Sequence, residues 1–277
     1  MTRFMKTLVL TAVCGGLVLK MALPAAAQTR GELQDQINAL QAQMVALQAQ
    51  VAVLQIGMPA CMTTASGAGS VDDVVFTGCN VHVRNGQGST PSSNGVGNLI
   101  IGYNESGEGS PARGGSHNVV IGPEHSYSSY GGLVAGFRNT VSGVYASVSG
   151  GSDNTAGNYA ASVSGGWYNE AGGVFASISG GRANEVSSNF GSVSGGFDNT
   201  ASGVAASVSG GSGNEASGKS ASVSGGFRNE ASGDFASSVS GGEGNAASGT
   251  YASVSGGHSR TASGQYDWRA GGPSQDP

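Results

Sequence analysis

Residues 221–242 read ASVSGGFRNEASGDFASSVSGG, a stretch with the Gly-, Ser- and Ala-rich composition of a flexible linker. It also keeps a register, which a linker has no reason to do. The apolar residue inside each SVSGG falls at Val148, Val163, Ile178, Val193, Val208, Val223, Val239 and Val254, in steps of fifteen residues with one of sixteen, where Ser238 reads as the extra residue. Six residues further on stands Asn154, Asn169, Asn184, Asn199, Asn214, Asn229 or Asn245, with Arg260 closing the column. Two residues after each Asn comes Ala156, Ala171, Val186, Ala201, Ala216, Ala231 or Ala247, and then Ala262 after Arg260. Columns that do not drift describe a solenoid, in which each unit buries its apolar face only against its neighbours.

The period extends upstream in another spelling. LVAGFRN aligns Leu133 with the Val column and Asn139 with the Asn column, VVIGPEH brings Val119 there, and LIIGYNE brings Leu99. About eleven rungs result. Fifteen residues are too few for a helix pair, and Ser-Val-Ser alternation is a strand with Val inward and both Ser outward. Gly-Gly ends that strand, and a second short strand carries the Ala column. Gly143, Gly173, Gly203, Gly218, Gly233, Gly249 and Gly264 follow four residues after the Asn position, with Asn158 once in their place, a pattern that predicts a left-handed turn residue. The expected fold is an all-β solenoid, a parallel β-roll whose stacked Asn side chains form a hydrogen-bonded ladder. Arg269 arrives where Val is due, with Trp268 beside it, and reads as a capping rung.

The chain begins with Arg3 and Lys6 before an apolar run from Leu8 to Leu19, and Ala25–Ala27 offers a cleavage site before Gln28. Residues 1–27 are therefore expected to be a signal peptide, and the protein to be exported, with no membrane span left after cleavage. Losing Arg3, Lys6 and Lys20 takes the formal charge from −5 to −8, which excludes a nucleic-acid partner. Cys61 and Cys79 remain in an oxidising compartment and are expected to pair.

Residues 28–56 follow a heptad instead. Leu33, Ile37, Leu40, Met44, Leu47, Val51 and Leu54 alternate spacings of four and three, bordered by Gln34, Gln41, Gln48 and Gln55. This predicts a coiled-coil seam shared among chains. β-Branched and Met a residues with Leu at d lean toward a dimer. The thin roll pulls toward a trimer, because partners would cover more apolar surface. Two aromatic columns could supply that surface: Phe137, Trp167, Phe197 and Phe227 two residues before the Asn, and Tyr145, Phe175, Phe190, Phe235 and Tyr251 about six after it. Residues 57–97 are expected to form a β collar pinned by the disulfide, residues 98–272 the roll, and 273–277 a tail.

The early rungs NLIIGYN and NVVIGPE resemble the VAIG rungs of the heads of YadA-type trimeric autotransporter adhesins. The resemblance covers roughly residues 98–264. It implies a left-handed parallel β-roll, a homotrimer, and attachment to extracellular matrix, host or neighbouring-cell surfaces through an unidentified receptor. In that family the head precedes a stalk and a C-terminal membrane barrel. This sequence places its coiled coil first and ends at GGPSQDP, from which a stand-alone exported head is expected.

No catalytic constellation, cofactor site or metal site is read from the residues. Ser recurs as a strand-face residue with no base set beside it, and GSGNEA at 211–216 imitates a dinucleotide fingerprint inside the repeat. His117, Glu124 and His125 lie close in sequence but read as ordinary loop or strand polarity. Thr140, Thr155, Glu170, Glu185, Thr200, Glu215, Glu230, Ala246 and Thr261 form an exposed column. An ice-binding array is one reading of its Thr residues, and the interleaved Glu argue against it. A receptor-free surface or matrix spacer is the other alternative to an adhesin.

Overall fold

The computed structural model describes residues 13–14, 17–18, 29–56, 61–66, 72–107 and 109–270. The expected leader lies outside these residues apart from Val13–Cys14 and Leu17–Val18, which pair antiparallel. The expected tail lies outside them altogether. The chain divides into two units, residues 1–81 and 82–277.

The first unit holds a helix, Arg30–Ile56, and a hairpin of Met62–Ser66 against Asp72–Phe76. Thr29 and Glu32 start the helix with a reciprocal cap: the Glu32 N–H donates to Thr29 Oγ1 at 3.3 Å, and the Thr29 N–H to Glu32 Oε2 at 2.7 Å. Beyond Gly31 the helix contains neither Gly nor Pro, and Ala, Leu and Gln fill it. The side chain of Leu54 is outside the described residues. The other six heptad residues are each between 43% and 61% exposed, so none of the described residues covers the stripe. Cys61 and Cys79 are bonded, with Cα atoms 5.9 Å apart, and the Thr77 N–H donates to the Cys61 carbonyl.

The second unit is an all-parallel solenoid of two sheets. One sheet has twelve strands, from Leu99–Ile101 to Trp268–Arg269, and carries the Ser-Val positions. The other has ten, from Ser126–Tyr127 to Thr261–Ala262, and carries the residue after each Asn together with its Ala. Strands are two or three residues long, so each contributes one inward side chain. Between the sheets lie Val148, Val163, Ile178 and their successors, facing Ala156, Ala171, Val186 and theirs, all essentially unexposed. A third buried column that the periodic reading did not single out, Ala146, Ala161, Ala176, Ala206, Ala221 and Ala252, fills the second corner. At one rung a larger core residue is met by a smaller corner residue. Where Val186 replaces Ala, Gly191 replaces the corner Ala, and a Cβ there would lie 2.7 Å from Val186 Cγ1.

Three of the expected core residues are displaced by one position. Val148 pairs with Val134, not Leu133, and Leu133 with Ser147; Val119 pairs in turn with Leu133, and Leu99 with Val119. Val120 and Val134 are the buried residues, while Leu133 and Val119 face outward and Leu99 is 48% exposed. The cause is one glycine. Early rungs pass the first corner with a single Gly136, which sits against Gly151, whereas later rungs use Gly150 and Gly151 together. Counting back fifteen from Val148 therefore overshoots by one, and in a strand a slip of one exchanges the faces. Ser238 likewise is not the extra residue of its rung: it pairs with Ser222 and Ser253, and the insertion is taken up in the turn between Gly233 and Ala236.

The left-handed positions also differ from expectation. Gly143, Gly203 and Gly249 do not have positive φ; a Cβ there would meet the carbonyl of the next rung at 1.8, 2.0 and 2.1 Å, so close approach is what requires glycine. Positive φ falls instead on the first-corner glycine, as at Gly151, Gly166 and Gly181, on the residue before the Asn, including Arg138, Asp153, Tyr168, Asp198 and Arg228, and at the second corner, including Tyr145, Phe175, Phe190 and Tyr251. These bulky residues accept strain of order 1 kcal/mol each. The conformation turns their N–H groups back along the stack: Tyr168 donates to the Ser152 carbonyl and Phe175 to that of Tyr159, in the rung before, while strand N–H groups such as that of Thr155 donate to the rung after.

Candidate interaction surfaces

The Asn column is structural. Each Oδ1 accepts the backbone N–H of the next Asn, at 2.8 Å from Asn154 to Asn139 and 3.1 Å from Asn214 to Asn199. Each Nδ2 donates to a carbonyl four residues back in its own rung and to a glycine carbonyl in the next, as Asn199 does to Gly195 and Gly211, both at 3.0 Å. Asn139, Asn154, Asn169, Asn184, Asn199, Asn214, Asn229 and Asn245 are all buried and satisfied, which leaves the column nothing to offer a ligand. The ladder begins on His125, whose ring is buried: Nδ1 accepts from the Asn139 N–H at 3.1 Å and Nε2 donates to the Ile121 carbonyl at 2.9 Å. That role escaped the sequence reading because His replaces Asn one rung early. His117 is occupied as well, accepting from the Asn85 N–H at its Nε2. Among the described residues no group of His, Cys, Asp and Glu is arranged to hold a metal.

The outer face of the twelve-stranded sheet changes character along its length. Its first three rungs expose Leu99 and Ile101, 48% and 52%, then Val119, Ile121, Leu133 and Ala135 at lower exposure. From Ser147 and Ser149 onward two columns of serine replace them down to Ser253 and Ser255. This sheet ends on Trp268 and Arg269, paired with Ser253 and Val254; the Trp268 indole donates to Ser255 Oγ, and Arg269 pairs with Asp267 at 3.4 Å.

The outer face of the ten-stranded sheet carries the Thr and Glu column. Glu170 pairs in register with Glu185, and Glu215 with Glu230. Rungs stand about 4.8 Å apart, so these pairs repel, and they break the Thr array at four of its positions.

The two corners carry the aromatic columns, built differently. At the second corner the rings seal one another: Tyr130, Tyr145, Tyr159, Phe175 and Phe190 follow at 5.5–5.7 Å between centroids, and Phe235, Tyr251 and Tyr266 at 5.2–5.6 Å. At the first corner arginines and serines separate the rings. Arg182 lies over Trp167 at 4.4 Å and Phe197 at 5.4 Å, Arg138 over Phe137, and Arg228 over Phe227. Arg138 also bridges Glu124 at 3.2 Å and Asp153 at 3.5 Å; the Glu124 hydrogen bond, with the Asp153 charge behind it, raises its guanidinium above the ordinary range. Beside this ion pair is an open cavity of about 200 Å³ lined by Ser106, Ser110, Pro111, Glu124, Ser126 and Arg138. Arg113 fastens the chain that walls it by donating to the carbonyls of Asn104, Glu105 and His125.

Comparison with protein families matches the ubiquitous surface protein adhesin repeat over residues 222–233. Those residues trace one rung: the Ser222–Val223 strand, the Gly225–Gly226 corner, Asn229 of the ladder, the Glu230–Ala231 strand, and Gly233 under the carbonyl of Gly249. No curated protein matches the chain. The adhesin repeat, and the all-parallel solenoid of fifteen-residue turns in which it stands, together fit the head of a YadA-like trimeric autotransporter adhesin.

Proposed function

We propose that this is an exported surface protein that attaches non-covalently to matrix, host or neighbouring-cell surfaces as a trimer. Three copies of a repetitive face supply avidity in place of one deep pocket. The observation that carries the reading is the outward apolar end of the twelve-stranded sheet. Leu99, Ile101 and Ile121 form an exposed aliphatic patch on a flat strand face, which water penalises by roughly 25 cal/mol per Å². The exposed heptad stripe of the helix supports it independently, since about three heptads are marginal without partners. Each surface offers aliphatic area to further copies of the same chain. The adhesin repeat supports a surface or extracellular location, and no described helix is long and apolar enough to cross a membrane.

The test is binding of the purified chain to a panel of immobilised matrix proteins, glycans and whole cells. Saturable binding that weakens when self-association is broken supports attachment by avidity. Uniform absence of binding by a correctly assembled protein would leave a spacer in its place.

A further inference from the structure

The last rung of the roll has a neighbour on one side only. Trp268–Arg269 is the edge strand of the twelve-stranded sheet, and Thr261–Ala262 that of the ten-stranded one. A solenoid is held by contacts between neighbouring repeats, so such a rung frays first. Residues 82–277 contain no cysteine that could fasten it. At the second corner of this rung stands Tyr266, and Tyr251 occupies the same place in the rung before. Both have the same left-handed backbone, φ 58° and 59°, which sends their side chains off in one direction. Their rings are 5.2 Å apart between centroids and 5° from parallel. Both are open to solvent, Tyr251 at 43% and Tyr266 at 70%.

We propose that Tyr251 and Tyr266 are an oxidative cross-linking site, at which a peroxidase and hydrogen peroxide join the two rings as dityrosine and staple the last rung to the roll. Each phenol gives up its O–H hydrogen atom. The two phenoxyl radicals pair their electrons in one carbon–carbon bond between ortho carbons, and the two ortho hydrogens move to the oxygens as the rings regain aromaticity. The protein loses two hydrogens, and one peroxide is reduced to two waters. Coupling requires ortho carbons that face each other, which parallel rings on adjacent rungs present. Phe235, the next ring along, is tilted by 51° from Tyr251 and has no phenol to oxidise, so the radicals stay on the pair. The bond closes a span of fifteen residues and, like a disulfide, limits the freedom of the chain it closes.

Each of the other six tyrosines lacks one of these conditions. Tyr130, Tyr145 and Tyr159 meet edge to face, at 90° and 84°, so the edge of one ring points at the face of the next and ortho carbons do not oppose each other. Tyr127 is buried, its hydroxyl accepting from Asn104 Nδ2 at 2.9 Å. Tyr168 packs on Trp167, with 4.8 Å between centroids. Tyr103 is 93% exposed and makes no ring contact among the described residues.

The test treats the full chain, in dilute solution, with a haem peroxidase and one equivalent of hydrogen peroxide. Dityrosine fluorescence is expected at single-chain mass on a denaturing gel, and peptide mapping should find Tyr251 and Tyr266 joined with the loss of two hydrogens. Tyr251→Phe and Tyr266→Phe should each lower intrachain dityrosine about fivefold, whereas Tyr103→Phe should leave it unchanged. Phe175 and Phe190 occupy the same column, so both variants keep the fold, which an unchanged melting curve checks. The amides of Ser253, Ser255 and Tyr266 tie the last rung to the one before. In the cross-linked protein they should exchange about tenfold more slowly than in the untreated one. Absence of dityrosine, cross-links formed mainly among Tyr130, Tyr145 and Tyr159 or only between chains, or unchanged exchange at those three amides would overturn the inference. None of these outcomes depends on a receptor, so the adhesin reading stands or falls separately.

Discussion

The backbone N–H of Asn214 donates to Oδ1 of Asn199 at 3.1 Å, and both residues are buried. One side-chain amide thereby takes the place of water for three main-chain groups in two rungs: the Asn214 N–H and the carbonyls of Gly195 and Gly211. A roll whose core is mostly Val and Ala gains little from burial per rung, so satisfaction of its corners decides whether rungs stack.

Asn199→Ala orphans the Asn214 N–H and the Gly195 carbonyl, leaves the Gly211 carbonyl with the Phe197 N–H alone, and is expected to destabilise the roll by about 2–4 kcal/mol. Denaturant unfolding measures the loss, and amide exchange should show the Asn214 N–H losing protection ahead of the strand amides. A cost under about 1 kcal/mol would mean that water replaces the ladder.

Leu133 and Val134 separate folding from assembly. Val134→Asp buries an unpaired carboxylate and should abolish cooperative unfolding. Leu133→Asp presents its charge on the outer face and should leave the circular dichroism spectrum and melting of the single chain unchanged while weakening self-association. The opposite ranking would restore Leu133 to the core.

Val186 and Gly191 should behave as one unit. Gly191→Ala brings a Cβ to 2.7 Å from Val186 Cγ1 and is expected to cost about 1–3 kcal/mol. Combined with Val186→Ala it recreates the corner of the neighbouring rungs and should recover most of the loss, a coupling that a double-mutant cycle reads directly. Additive effects would show that the two sites are not packed together.

Gly203 and Gly180 divide the glycines by what surrounds them. A Cβ on Gly203 meets the Gly218 carbonyl at 2.0 Å, whereas one on Gly180 meets nothing within 4 Å. Gly203→Ala should lower the melting temperature by several degrees, and Gly180→Ala should change stability by less than about 0.5 kcal/mol. Equal effects would contradict the stacking of corner on corner.

The solenoid was legible because its period is carried by residue types with distinct jobs: Val inward, Ser outward, Asn at a buried corner. The register of the early rungs was not, because Gly136 does alone what Gly150 and Gly151 do together, and composition does not reveal a missing corner residue. Left-handed turns at Tyr145, Phe175 and Arg138 were hidden for a related reason. The stack supplies hydrogen bonds that offset their strain, so the chain does not need glycine to mark them. His125 has the hydrogen-bonding capacity of the ladder residue without its name. The candidate surfaces were visible as aromatic columns, but which rings seal one another and which stand apart depends on the residues between them, and that emerges only in three dimensions.

The most direct test of the account is the solution mass of the chain from residue 28 onward, by light scattering after size exclusion. The account predicts three times the mass of one chain, falling toward a single-chain mass in Leu133→Asp. A single-chain mass for the unaltered protein at every concentration would contradict the trimeric, avidity-based reading.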